Sequence, residues 1–193
     1  SGYYYAMQYN FVGLDQVGYT GIQPRPNNAA GQSVVHGVFS SFVPGTTTSD
    51  SLCHTGADGG PGVSCAVEIP SSYADTYNFV VENTGGTTWA GTMVNTATGT
   101  QTHVGSWTLP ANSQGIRSSQ LGFIEYYKWN DGQTHPCNTL PKTEAFFGTP
   151  TTKTSGAGPG TLNDAYEYGD CVGKVDFSQI RTANGVSVKV GVA

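Results

Sequence analysis

Glycine or proline interrupts almost every stretch of this chain: 27 of one and 10 of the other in 193 residues. No long window keeps apolar residues at i, i+3, i+4 and i+7, so helices cannot be the main building material. What lies between the interruptions is short and alternating. Tyr3 to Val12 carries an aromatic residue or Met at every odd position, and Ser33 to Val43 is rich in Val and Phe. Gly18 to Gln23, Cys65 to Ile69, Thr76 to Glu82, Leu121 to Lys128, Glu144 to Phe147 and Val186 to Val192 read as further strands, the first of them stopping at Pro24. Thr88 to Asn95 is expected to pair with Gln101 to Leu109 across the turn Ala97-Thr98-Gly99. Many short strands with turn signals at regular spacing predict an all-β chain, a two-sheet antiparallel β-sandwich or jelly roll. Without a dividing linker, residues 1–193 read as a single domain. The Gly/Pro-rich stretch from Thr149 to Thr161 is long for a structureless loop, which points to a functional or disulfide-tied loop.

The charge pattern narrows the partners. Only 11% of residues are charged and the formal net charge is −5, with 8 Lys and Arg. Nucleic acid is excluded as a partner, because phosphate binding needs clustered basic groups. No apolar run approaches a membrane span, so no membrane partner is expected either. The chain starts on a Tyr-rich strand and reads as the mature form of a secreted protein, acting as a monomer on an extracellular polymer. Four cysteines, Cys53, Cys65, Cys137 and Cys171, fit two disulfides, and no Cys-x-x-Cys supports zinc. Three connectivities are possible. The Gly-rich loop between Cys53 and Cys65 can close on itself, which favours that pair and leaves Cys137 with Cys171. The four His are scattered and Asp50, Asp58 and Asp164 lack regular calcium spacing, so no metal and no cofactor are expected.

One residue demands a chemical reason. In Leu121 to Lys128 the alternation puts Leu121, Phe123, Glu125 and Tyr127 on one face. A carboxylate on an aromatic face is costly unless it is hydrogen-bonded, neutralised or exposed in a cleft. Gln23, two residues after Gly21, is a second candidate, since glycine lets another group approach the backbone closely. Glu68 is a third, opposite in pleat to Val67 and Ile69, so it faces solvent or lines a concave sheet. Trp89 and Tyr127 are the aromatic residues expected to meet substrate.

In order the chain shows Gly21-Ile22-Gln23, then Val67-Glu68-Ile69-Pro70, the hairpin from Trp89 to Gln101, Phe123-Ile124-Glu125-Tyr126-Tyr127, a Cys137 loop and Phe146-Phe147. This succession resembles the eqolisins, the secreted glutamic peptidases. The resemblance spans about residues 18 to 150. It implies a concanavalin-like sandwich and an acid endopeptidase with a catalytic Gln and Glu, which fall on Gln23 and Glu125. It also sets Glu68 near an acidic residue of that family's aromatic-rich third strand. Where the family has Trp-Tyr-Glu-Trp-Tyr-Pro, this chain has Ala66-Val67-Glu68-Ile69-Pro70, and Tyr126 replaces the acidic residue after the catalytic Glu. The chain also resembles a secreted domain family of unknown function often found beside carbohydrate-related modules. The alternative reading is therefore a carbohydrate-active or carbohydrate-binding sandwich, with Tyr and Trp stacking on the sugars of a polysaccharide.

Overall fold

The computed structural model describes residues 2–192. The chain is all-β, and its contacts divide it into two compact units, one running up to Glu125 and the other starting at Tyr126.

The first unit holds nine strands: β1 (Tyr3–Phe11), β2 (Val17–Arg25), β3 (Val34–Ser41), β4 (Cys53–Ala57), β5 (Gly60–Pro70), β6 (Tyr77–Gly85), β7 (Thr88–Asn95), β8 (Gln101–Thr108) and β9 (Ile116–Tyr126). They form a six-stranded sheet in the order β4-β5-β3-β2-β1-β9 and a three-stranded sheet in the order β6-β7-β8. The large sheet turns one face towards the small one. On that face the alternation selects Phe11, Val35, Phe39, Val63 and Cys65, which pack against Trp89, Met93, Val104 and Trp107. Trp107 stacks on Phe39 with ring centres 4.6 Å apart and meets Phe11 edge-on at 5.9 Å. Glycines let the sheets approach. A Cβ on Gly91 would lie 2.5 Å from the Phe39 ring, and one on Gly105 would lie 2.3 Å from Cβ of Cys65.

Cys53 and Cys65 are direct partners in the β4–β5 ladder and are joined, as the closing loop predicts. The hairpin β7–β8 also follows the sequence. Asn95 Oδ1 accepts the amides of Ala97 and Thr98 and shapes the turn. Several boundaries differ. β2 runs through Pro24 to Arg25. Its ladder to β1 ends at Tyr5–Ile22, while that to β3 continues to Arg25–Val34, so Pro24 need donate no N–H towards β1. β5 begins at Gly60 rather than Cys65, and β4 was not anticipated because Cys-His-Thr-Gly-Ala has no apolar alternation. β9 begins at Ile116, before the expected Leu121, and ends at Tyr126.

In the second unit Tyr127–Asp131 form a 3-10 turn stopped by Gly132 in the left-handed conformation. A three-stranded sheet follows in the order β10 (Thr143–Gly148), β12 (Gly185–Val190), β11 (Phe177–Thr182). Strand β11 was missed, since its apolar residues Phe177 and Ile180 do not alternate. Residues 149–176 carry no strand. The Cys137–Cys171 disulfide ties this segment down, and so does Arg181, which donates to Asp164 at 2.8 Å and to the Leu162 carbonyl at 2.9 Å.

Candidate functional site

The face of the six-stranded sheet that looks away from the small sheet is where the singled-out polar residues gather. On β3 the two faces are easily told apart. A Cβ on Gly37 would point at Met93 and Val104 of the small sheet. His36, one residue earlier, therefore points the other way. Gln23 on β2 stands directly opposite His36, and His36 stands directly opposite Glu68 on β5. Directly opposed residues share a face, so Gln23, His36 and Glu68 form one row across three strands. Glu68 is on the side opposite Val67 and Ile69, which pack into the core.

Glu125 belongs to the same face. Phe123, two residues before it on β9, meets the rings of Tyr4 at 5.8 Å and Tyr19 at 5.4 Å. Tyr19 pairs with Ser40, which has the parity of His36. Strand β1 alone separates β2 from β9. At the usual strand spacing β2 and β9 run about 10 Å apart, with Tyr4 on the strand between them.

The electrostatics of this face centre on two phenols. Burial pushes the Tyr4 hydroxyl far above the ordinary phenol range, and the negative charges of Asp58 and Glu125 add to it. Tyr19 is raised too, first by burial and then by Glu125 and Asp58. Both phenols therefore stay neutral donors at any working pH. The Tyr4 hydroxyl meets no hydrogen-bonding partner among the described residues. Next to Gln23, His36 Nδ1 lies 3.2 Å from Glu68 Oε1. Burial and then the neighbouring Arg25 charge lower the His36 pKa, outweighing Glu68.

No family model matches this sequence, and no curated protein matches it either. A solved structure does: aspergilloglutamic peptidase from Aspergillus niger aligns over 100% of both chains with a TM-score of 0.55 at 15% sequence identity. The fold is eqolisin-like. On this eqolisin-like sheet Gln23, Glu68 and Glu125 lie on one face. Trp89 does not join them. Trp89 is buried on β7 against Phe11, so it is a core residue and not a substrate platform. Tyr127 leaves the strand alternation because β9 ends one residue before it and the 3-10 turn begins. The glycine near Gln23 serves the scaffold. A Cβ on Gly21 would lie 2.2 Å from the Tyr5 carbonyl, so it is β1 itself that fills the space.

Sequence reasoning missed Tyr4, Tyr19 and His36. The signal for Tyr4 was present: it is an aromatic residue at an even position of a strand whose odd positions are already apolar. His36 was likewise the one ionisable residue in the Val-rich run of β3. Among the described residues no group of three or more His, Cys, Asp or Glu could hold a metal ion.

Proposed function

We propose that this protein is a secreted endopeptidase of the glutamic type. The observation that carries the reading is that Gln23 and Glu125 share one face of an eqolisin-like sheet with one strand between them. The reading requires that a water and a peptide bond fit between these two side chains, above Tyr4. In the proposed mechanism the Glu125 carboxylate takes a proton from the attacking water and returns it to the leaving amine. The Gln23 amide donates to the oxyanion that develops on the peptide carbonyl, and being uncharged it does so at any pH. Two disulfides in a chain of this size support an oxidising, extracellular setting. With Trp89 and Trp107 both in the core, two of the aromatic platforms that a sugar-binding reading needs are withdrawn.

Digestion of a denatured protein substrate across acid and neutral pH tests the proposal. Glu125→Gln keeps the shape and is expected to fold normally yet lose hydrolysis to background. Gln23→Ala is expected to lose roughly a hundred- to thousandfold in kcat, the usual effect of removing one oxyanion donor. Full hydrolysis by purified Glu125→Gln would end the reading.

A further inference from the structure

The row beside Gln23 already holds a carboxylate, its own. Glu68 Oε1 lies 3.2 Å from His36 Nδ1 and 3.8 Å from Arg25 Nε. Arg25 is two residues beyond Gln23 on β2 and shares its face. The two basic groups are the covered ones, with side chains 30% and 17% exposed for Arg25 and His36, whereas that of Glu68 is 58% exposed. Two well-covered basic side chains thus face an acid that solvent reaches easily.

We propose that Arg25 and His36 form a subsite, one position along from Gln23, for the carboxylate of an acidic side chain of a polypeptide substrate, and that Glu68 is its built-in competitor. The proposal rests on the peptidase reading for the identity of the substrate, but the carboxylate site itself stands on the row. A planar guanidinium and an imidazole N–H are suited to hold a carboxylate, and in the free protein Glu68 supplies one. A substrate Asp or Glu displaces Glu68 outward into solvent. The groups facing His36 are Arg25 and the neutral Gln23 from β2 and Glu68 from β5, with the neutral Tyr4 phenol on β1 beyond them. With His36 neutral these sum to zero charge, and with His36 protonated they sum to plus one. Side-chain carboxylates of a substrate ionise above about pH 4. His36 protonates somewhere below its ordinary value. Preference for acidic residues is therefore greatest between these limits and fades towards neutral pH.

The test uses the intact protein and a synthetic peptide set in which each position carries Asp in one member and Asn in the other, read by mass spectrometry at pH 5 and pH 7. At one position the Asp peptide is expected to be cleaved about five- to tenfold faster in kcat/KM at pH 5, with the gap shrinking at pH 7. Arg25→Met is expected to abolish that discrimination. Glu68→Ala is expected to enlarge it, the opposite sign, which a merely structural row would not produce. Equal rates for Asp and Asn at every position, or discrimination unchanged in Arg25→Met, overturns the subsite while leaving the peptidase reading standing. Should no peptide be cleaved, the peptidase reading falls, and N-acetyl-aspartate decides the subsite separately. A saturable shift of the His36 ring signals in NMR, lost in Arg25→Met, upholds it, and no shift overturns it.

Discussion

His103 Nε2 and Asp50 Oδ2 stand 2.6 Å apart, one on β8 of the small sheet and the other in the turn that leads into β4 of the large one. Ser106 donates to the same carboxylate oxygen at 3.0 Å, and the Leu52 amide to its neighbour at 3.0 Å. Burial works to raise the Asp50 pKa, but the hydrogen bonds from His103, Leu52 and Ser106 outweigh it, and the carboxyl titrates below its usual range. The folded state therefore binds this proton less readily than the unfolded chain does. The stabilisation is fully present above about pH 4 and is lost as pH falls through the lowered value. Asp50→Asn is expected to cost about 1 kcal/mol at pH 6, allowing for solvent screening, and less at pH 2.5. Urea melts at the two pH values check this, and an equal cost at both would contradict it.

Packing yields a sharper prediction at Gly105. A methyl group there would meet Cβ of Cys65 at 2.3 Å and the sulfur atoms of both Cys53 and Cys65 at 2.6 Å, none of which can yield without moving the disulfide or a strand. Gly105→Ala is expected to cost about 1–3 kcal/mol or more from overpacking. Gly115→Ala is the control, since a Cβ there meets nothing within 4 Å. Thermal melts of the two variants should differ by several degrees.

Tyr4 separates a structural role from a functional one. Its hydroxyl is buried and unpartnered among the described residues, so Tyr4→Phe is expected to leave stability unchanged within about 1 kcal/mol or to raise it. Because the hydroxyl lies out of reach of solvent, the same variant is expected to leave kcat and KM of peptide hydrolysis unchanged. A variant that is destabilised but fully active would show the hydroxyl to be structural only.

Much of the fold was legible in local pattern. The hairpin from Thr88 to Thr108, the pairing of Cys53 with Cys65 and the opposite facing of Glu68 and Ile69 all follow from period-two alternation and turn chemistry, which act over a few residues. Glu125 could be singled out because a carboxylate on an aromatic face carries a local cost, and Gln23 because a glycine beside it permits close approach, although β1 is what fills that space. Where alternation is weak, as in β4 and β11, the strands were invisible, since those segments are held by ladder partners rather than by their own apolar face.

The tertiary structure decided which face each residue serves and who its neighbours are. Alternation says that Trp89 and Met93 share a side, but only the packed small sheet shows that side to be core, which takes Trp89 out of the site. The strand order β5-β3-β2-β1-β9 brings Glu68, His36, Gln23, Tyr4 and Glu125 to one surface from segments more than a hundred residues apart. That order depends on long-range pairing, whose energy comes from ladder hydrogen bonds and a shared core, and no short stretch of sequence contains it.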